Sequence, residues 1–369
     1  MKNVIYDADM GGDDLWAIAV LSGLIKHGKV NLLGMTTCFG NTTVSQATQN
    51  ALDMMSYINL RDIPVFEGGD KPLSGLSPLL DGAYGSNGLS NASLPKSNQK
   101  VENDTAEKWL SDTLTNSDSP IIIVCTGPLT NIAKAFQNNP DLDNKGLEII
   151  WLGGALNPSG GGHVLAQMPN GEYRQGNITQ YAEFNAINDP IAAQIIANLE
   201  KTKVTIIPLD CTHHMGVNFQ MATQFLRLMK GKEVEATNML SMLDHAAALN
   251  QMKMNAAGAH IHDAQVMVFL DDQSLFLDMI PVKDIKFVND ENALNKFDAT
   301  KNNKIDFSLL AHHGQMTAVQ TDASNINIVP GLYSFTDAPT DIDQNIESTN
   351  LRSQKLWETL INLTKDGFN

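Results

Sequence analysis

Short runs of β-branched and other apolar residues recur along the first half of the chain, and each run is bounded by Gly, Pro, Asn, Asp or a charged side chain. Runs of this length predict buried strands. The predicted strands cover residues 4–6, 30–37, 120–125, 147–152 and 203–209.

Longer stretches of mixed apolar and polar residues separate these runs and predict helices over 13–27, 42–58 and 103–114. A further helix is predicted to start at Asp189-Pro190, because a proline in the first helical turn loses no hydrogen bond. Strands that alternate with helices predict an α/β fold with a doubly wound, mostly parallel sheet flanked by helices.

Three polar segments interrupt this pattern. Residues 68–100 and 157–176 are rich in Gly, Ser, Asn and Pro and predict long loops that act as lids, whereas 289–303 predicts a surface segment away from the site. Since neither an internal repeat nor a change of composition marks a boundary, we expect one domain over residues 1–369.

The charge balance limits the possible partners. The chain has 25 basic and 41 acidic residues and a formal net charge of −16, so it lacks the clustered cations that bind nucleic acid or anionic lipid. No apolar run approaches the length of about 18 residues that a membrane span needs. The N-terminal residues lack a secretory pattern, so we expect a cytoplasmic protein; an exported one whose leader has been removed is the alternative.

The three cysteines, Cys38, Cys125 and Cys211, form no CxxC pair and each adjoins an apolar run. We expect small buried hydrophobic residues and not ligands or nucleophiles.

Four acidic residues, Asp7, Asp9, Asp13 and Asp14, follow the first predicted strand in the sequence DADMGGDD. Two like charges about 5 Å apart repel by roughly 3 kcal/mol at an effective dielectric near 20, so such a cluster takes up protons or binds a cation. Carboxylates without nearby His or Cys favour Ca²⁺ or Mg²⁺. Capping of the next helix is the structural alternative, but it explains only Asp13 and Asp14.

Several common motifs are absent from the sequence. An EF-hand that starts at Asp7 fails because its fifth, ninth and twelfth positions are Gly11, Leu15 and Ile18. Walker A, HExxH, GxGxxG and GxSxG sequences are also missing, which disfavours nucleotide-phosphate, zinc-protease, dinucleotide and α/β-hydrolase sites.

Six short blocks are spread over nearly the whole chain. They are DADMGGDD (7–14), CFGN (38–41), CTGPLTN (125–131), GG (153–154), GN with AEFN and DP (176–190), and HDA (262–264). In this order they resemble the inosine-uridine preferring nucleoside hydrolases, which cleave the N-glycosidic bond of ribonucleosides in purine and pyrimidine catabolism and salvage. The resemblance implies that family's Rossmann-like fold, and homodimers or homotetramers.

The resemblance also implies a site. Its calcium ligands would be Asp9, Asp14, the carbonyl of Thr126 and Asp263, with Asp7 as support and Asp9 as the general base for water. The His before the late metal-ligand Asp, here His262, would assist the leaving base. The implied ribose ligands are Asp13, Asn41, Asn177, Glu183 and Asn185.

Two departures from the family bear on base preference. No His occurs in the loop at 81–88, where Tyr84 is the candidate substitute, and Leu152 stands at the usual Met. His213 and His214 resemble the family's strand-end DxTH, for which we favour a structural role.

Two other functions fit parts of the pattern. A haloacid-dehalogenase-like phosphohydrolase also has DxD at a strand end, but here Met10 and Gly11 follow Asp9, and no basic motif would neutralise a phosphate. A protein that binds calcium or a nucleoside without turnover is the second alternative, although no implied catalytic residue is missing.

Overall fold

The structure is a computed structural model. It describes residues 1–76, 78, 84–90, 92–156, 166–167, 173–174, 176–213, 215–248, 259–293, 313–329 and 342–369, without the side chains of 166–167, 173–174 and 342–352. Most of the predicted loop 157–176, part of the predicted loop 68–100, the end of the predicted surface segment 289–303, and His214 lie outside the described residues.

A nine-stranded sheet is the centre of the described fold, in the order β12-β11-β13-β8-β5-β4-β1-β2-β3. Seven neighbouring strands are parallel, and only β11 runs antiparallel to its neighbours β13 and β12. The strands are β1 (Lys2–Ala8), β2 (Val30–Thr37), β3 (Val65–Glu67), β4 (Ile121–Cys125), β5 (Glu148–Leu152), β8 (Lys203–Ile207), β11 (Ile280–Phe287), β12 (Met316–Gln320) and β13 (Ile326–Ile328).

Two short antiparallel pairs lie outside this sheet. They are β6 (Ala166–Gln167) with β7 (Tyr173–Arg174), and β9 (Gly216–Val217) with β10 (Ala259–His260).

Helices cover both faces of the sheet, as in a doubly wound fold. One buried cluster includes side chains of α1, α2, α8, α10 and α11, and a second includes side chains of α3, α4 and α6. The helices are α1 (Gly12–Lys26), α2 (Val44–Tyr57), α3 (Ala106–Asn116), α4 (Thr130–Asn138), α5 (Phe184–Asn188), α6 (Pro190–Ala197), α7 (Leu209–Thr212), α8 (Phe219–Leu228), α9 (Glu233–Ser241), α10 (His262–Asp271) and α11 (Ile342–Phe368).

Complete burial explains the continuous apolar character of the central strands. Val4, Ile5 and Tyr6 in β1 have no exposed surface, because helices cover both sides of a parallel sheet. The prediction of a doubly wound, mostly parallel sheet flanked by helices is therefore confirmed.

The strand order reverses between β1 and β4, and this reversal positions the site. β1 pairs with β2 on one side and with β4 on the other, and the chain leaves these two strands toward opposite faces. In open α/β sheets, the crevice at the carboxyl ends of such a pair of strands binds ligands. Asp9 follows β1 and Thr126 follows β4 at this edge.

Two further predictions concern the burial of the cysteines and the absence of a membrane-spanning segment. Cys38, Cys125 and Cys211 are buried free thiols, as predicted. Among the residues that the structure covers, no helix is both long and apolar enough to cross a membrane.

Candidate active site

A tight turn brings the acidic residues after β1 together. Met10 has a left-handed backbone with φ of 57°, and Gly11 and Gly12 follow it into α1. A Cβ on Gly11 would overlap the amide of Asn41, and one on Gly12 would overlap the carbonyl of Met242. The two glycines are thus required by close packing, and the turn places Asp13 and Asp14 in the first helical turn, beside Asp9.

Three donors hold the carboxylate of Asp14. One oxygen accepts from the Tyr6 hydroxyl and the Thr126 hydroxyl, both at 2.6 Å, and the other accepts from the backbone N–H of Gly11 at 2.8 Å. These bonds link the turn to β1 and to the end of β4, so Asp14 is fixed between the two strands at the reversal.

Asn41 holds the carboxylate of Asp9 with its backbone N–H at 2.8 Å and its side-chain amide at 3.0 Å. The loop after β2 can approach this closely because a Cβ on Gly40 would overlap the same carboxylate. The sequence had predicted Asn41 only as a ribose ligand; its contact with Asp9 was not anticipated.

Asp263, which comes from the first turn of α10, joins this group despite its distance along the chain. Carboxylate oxygens of Asp13, Asp14 and Asp263 lie within 4.8 Å of one another, and all three residues are buried. Asp9 is close enough that its charge acts on Asp263, and it shares a hydrogen bond with Asp14. The structure therefore brings together Asp9, Asp14 and Asp263, and the Thr126 hydroxyl bonds Asp14, so the four residues predicted to supply metal ligands lie close together.

The electrostatics of this acidic cluster, Asp9, Asp13, Asp14 and Asp263, favour a cation. Burial first, and then repulsion between the carboxylates, raises the pKa of Asp13 to about 6 and also raises the pKa values of Asp9 and Asp263. Asp13 Oδ1 is buried without a hydrogen-bond partner among the described residues. A divalent ion would relieve both the repulsion and the missing partner.

Asp7 lies behind this cluster and is buried completely. One of its oxygens accepts from the Thr36 hydroxyl at 2.5 Å and from the Asn131 amide at 2.8 Å, while burial raises its pKa to about 6. Its contacts connect β1 to β2 and α4, as a supporting residue would. Thr36 and Asn131 were not assigned roles from the sequence, although Asn131 stands in the CTGPLTN block.

Glu183 and Asn185 hold the end of β4 in place. The Glu183 carboxylate caps α5 by accepting from the N–H groups of Asn185, Ala186 and Gly154 at 2.8–2.9 Å, and burial raises its pKa to about 7. The Asn185 amide donates to the carbonyl of Thr126 at 2.9 Å and to that of Leu152 at 3.0 Å. These structural roles were not predicted.

The remaining predicted residues surround the cluster. Asn177 is half-buried in the segment that leads to Glu183. The Tyr84 hydroxyl hydrogen-bonds to the Asp13 carboxylate, so the residue that stands in the loop without a His does reach the acidic cluster.

His262 precedes Asp263 at the start of α10. Its Nδ1 and the Thr212 hydroxyl are hydrogen-bonded at 2.7 Å. Burial lowers the pKa of His262 to about 3, so the imidazole is neutral at pH 7. The rings of His213 and His260 lie beside it.

In a doubly wound fold, an acidic cluster at the strand reversal is an arrangement that can bind a metal ion and a ligand. The family model described as inosine-uridine preferring nucleoside hydrolase matches residues 4–343. The chain belongs to this family, and the ribonucleoside N-glycosidase activity predicted with it is confirmed at that level. No finding supports the phosphohydrolase or the non-catalytic alternative.

Individual proteins that resemble this chain are ribonucleoside hydrolases as well. The pyrimidine-specific ribonucleoside hydrolase RihA of Escherichia coli O1:K1 / APEC is 31% identical over 274 residues, which cover 74% of this chain and 80% of that protein. A purine-preferring ribonucleoside hydrolase from Gardnerella vaginalis superimposes with a TM-score of 0.73 at 21% identity, over 99% of each chain. A plant nucleoside hydrolase, PpNRh1, superimposes with a TM-score of 0.70 at 23% identity, over 95% of this chain and 98% of its own. At these identities, the two superpositions support the fold alone.

Proposed function

We propose that the protein hydrolyses ribonucleosides to ribose and free base at the acidic cluster, with Asp9 as the general base and Ca²⁺ as the resident ion. The observation that carries this proposal is the convergence of Asp263 with Asp9, Asp13 and Asp14 at the strand reversal. Residues so distant in the sequence are buried together, at a cost in electrostatic repulsion that a cation removes.

The donor set fits a hard divalent ion. Carboxylates of Asp9, Asp14 and Asp263 and the carbonyl of Thr126 are all oxygen ligands, which suit Ca²⁺. Asn185 donates to only one of the two lone pairs of the Thr126 carbonyl, so the other is available to an ion. When bound, calcium supplies charge that lowers the pKa of water and holds the vicinal hydroxyls of ribose.

Asp9 is the best-placed base because its carboxylate accepts hydrogen bonds from Asn41, which fix its orientation toward the cluster. In the proposed reaction it accepts a proton from the water that attacks the anomeric carbon. Its neighbour Asp14 is held by three donors and is better suited to a fixed ligand role.

The remaining ribose ligands are proposed as Asp13, Asn41, Asn177, Glu183 and Asn185. The amide groups of Asn41 and Asn185 already donate within the protein, so their carbonyl oxygens are the groups that would accept from sugar hydroxyls. Cleavage of the C–N bond develops positive charge on the sugar, and the nearby carboxylates stabilise that charge electrostatically.

His262 is proposed to donate a hydrogen bond from its Nε2–H to the leaving base, which stabilises the negative charge that develops on that base. The Thr212 hydroxyl can donate to Nδ1, which places the single proton of the neutral ring on Nε2. This assignment needs no charged imidazole, in agreement with the low pKa of His262.

We further propose a homodimer or homotetramer, since the family resemblance implies such assemblies, and we propose a cytoplasmic location. RihA is pyrimidine-specific and the Gardnerella enzyme is purine-preferring, so a panel of inosine, uridine, cytidine, adenosine and guanosine is the appropriate substrate set.

The proposal is tested by measuring ribose release from this panel with the wild type and with Asp9→Asn at saturating Ca²⁺. We expect kcat to fall by about 10²–10⁴-fold, as for loss of a general base, while nucleoside affinity is retained. Asp53→Asn is the matched control, because Asp53 is also buried but bonds Gln49, Lys96 and Ser97 in and beside α2. Near-normal turnover by Asp9→Asn would remove Asp9 from the base role, and nucleoside binding by the wild type without ribose release would favour a binding protein.

A further inference from the structure

Three histidines form a second cluster of metal-ligating groups beside the acidic one. One ring nitrogen of each of His213, His260 and His262 lies within 4.8 Å of the others. The ring centroids are 4.4 Å apart for His213 and His260, 5.0 Å for His213 and His262, and 5.5 Å for His260 and His262. The proposed hydrolysis uses only His262, so the imidazoles of His213 and His260 have no assigned role in the reaction.

Different elements hold the three rings in place. His213 follows α7, His262 begins α10, and His260 lies in β10, which pairs with β9. His260 is buried and His262 is half-buried, so both rings are restrained by packing. The cluster is thus a feature of the folded core and not a chance meeting of surface side chains.

The hydrogen bonds of two rings are of the kind found around metal-binding histidines. His260 donates one ring N–H to the backbone carbonyl of His213, which leaves its other nitrogen with a lone pair. In the metal-bound state His262 would take the tautomer opposite to the one proposed for catalysis, with Nδ1–H donating to the Thr212 hydroxyl and a lone pair on Nε2. A ligating histidine commonly donates its second nitrogen to a carbonyl or another acceptor in this way.

We propose that His213, His260 and His262 bind a divalent transition-metal ion of the zinc and copper class, at a site separate from the acidic cluster. Neutral imidazole nitrogens suit Zn²⁺ and Cu²⁺, whereas the carboxylate and carbonyl oxygens of the acidic cluster suit Ca²⁺. Three protein ligands and one solvent position complete a four-coordinate zinc site. A shared ion requires the three nitrogens to lie closer together than 4.8 Å, which small changes in the side-chain torsions would supply.

Occupation of this site inhibits the enzyme. A metal on Nε2 of His262 occupies the position of the hydrogen that would otherwise form the hydrogen bond to the leaving base. The inhibition rests on the role proposed above for His262, whereas the binding of the metal does not.

The binding is tested by isothermal titration of Zn²⁺ into the untagged, Ca²⁺-loaded protein. We expect one equivalent to bind to the wild type, and at least a tenfold weaker affinity in His260→Gln and in His213→Gln. His27→Gln is the matched control, because His27 caps the far end of α1 and pairs with Asp366 on the surface. No binding by the wild type, or equal binding by all four proteins, would overturn the proposal.

Spectroscopy of the wild type keeps the test decisive if a variant fails to fold. Electron paramagnetic resonance of one equivalent of Cu²⁺ should show coupling to imidazole nitrogens; a spectrum with oxygen ligands alone would contradict the site.

Assays of ribose release distinguish Zn²⁺ binding at the histidines from Zn²⁺ binding at the calcium site. We expect Zn²⁺ to inhibit the wild type and His27→Gln even in excess Ca²⁺, and His260→Gln to resist it. Inhibition that excess Ca²⁺ abolishes, and that is unchanged in His260→Gln, would place the zinc in the acidic cluster instead. Tight Zn²⁺ binding at the histidines without inhibition would support the site and count against the proposed hydrogen bond from His262 to the leaving base.

Discussion

Three neighbouring carboxylates of the site, Asp9, Asp13 and Asp14, have different hydrogen-bonding surroundings, and the chemistry of the site depends on these differences. Asp14 accepts three hydrogen bonds and is fixed between β1 and β4. Apart from its contact with Asp14, the Asp9 carboxylate is hydrogen-bonded within the described residues only by Asn41. Asp13 keeps one buried oxygen that has no hydrogen-bond partner within the described part of the chain. These differences support separate roles as fixed ligand, base and sugar ligand for three neighbouring carboxylates.

At this scale, His262→Ala distinguishes help to the leaving base from a packing role. We expect kcat to fall by about 10²–10³-fold for natural nucleosides, as for loss of one hydrogen-bond donor to a developing negative charge, and far less for p-nitrophenyl riboside, whose leaving group is already stable as an anion. The ratio of kcat/KM for the two substrates is the measurement. Equal losses on both substrates would show that His262 does not stabilise the leaving base.

The acidic residues could be predicted because like charges after a strand require a partner, and the family motifs could be matched residue by residue. The hydrogen bonds that hold these residues in place could not be predicted. These contacts depend on how loops from different strands pack together. They are the bonds of Asn41 to Asp9, of Tyr84 to Asp13 and of Asn185 to the Thr126 carbonyl. The residue spacing within one segment of the sequence does not predict contacts between different loops.

At the scale of elements, the short helix α5 positions the end of β4. Glu183 caps it, and Asn185 in its first turn donates to Thr126 and Leu152. A helix of this length has little stability of its own, so its cap and its tertiary contacts determine its position.

Glu183→Gln should therefore affect both the fold and the site. The amide cannot accept at both of its terminal positions, and a backbone N–H left unpaired costs about 1–3 kcal/mol of unfolding free energy. We also expect weaker Ca²⁺ binding, because the Thr126 carbonyl loses its fixed position. Denaturant unfolding and calcium titration measure the two effects.

Asp189→Asn is the matched control for this prediction. Asp189 is a buried carboxylate that caps the next helix, α6, and accepts from Leu73, Thr130 and Ala192. It should lose comparable stability but keep its affinity for Ca²⁺. Equal calcium affinity in the two variants would show that α5 does not position the ligand.

The elements themselves were predicted unevenly. The apolar runs that became β1, β2, β4, β5 and β8 were recognisable because a strand buried on both faces needs continuous apolar residues. The predicted strand 203–209 was too long, since Leu209 begins α7. β3 has three residues, and β11 has alternating exposed positions, so neither gives a strong signal of a central strand.

At the scale of the whole molecule, the acidic cluster joins β1, α1 and α10 around one site. The charges of Asp9, Asp13, Asp14 and Asp263 oppose one another, so folding without a cation requires some of these carboxyl groups to hold protons. Binding of Ca²⁺ then replaces protons and connects distant parts of the chain. One domain over residues 1–369 stays a prediction.

Calcium affinity should rise with pH. The pKa of Asp13 is raised to about 6, and those of Asp9 and Asp263 are raised as well, so the ion competes with protons at pH 5 and much less at pH 8. His260 and His262 stay neutral between these values, because burial lowers their pKa values to about 4 and about 3. Calorimetry in buffers of different ionisation enthalpy should detect proton release on binding at pH 6. An affinity that is independent of pH would contradict this electrostatic account.

The central claim is that one divalent ion lies among Asp9, Asp14, Asp263 and the carbonyl of Thr126. Its most direct test is a crystal structure of the active, Ca²⁺-loaded protein, with the ion located from its anomalous scattering. The account predicts a single strong peak that contacts oxygen atoms of these four residues. A peak at another place, or an active crystal with no ion in the acidic cluster, would contradict it.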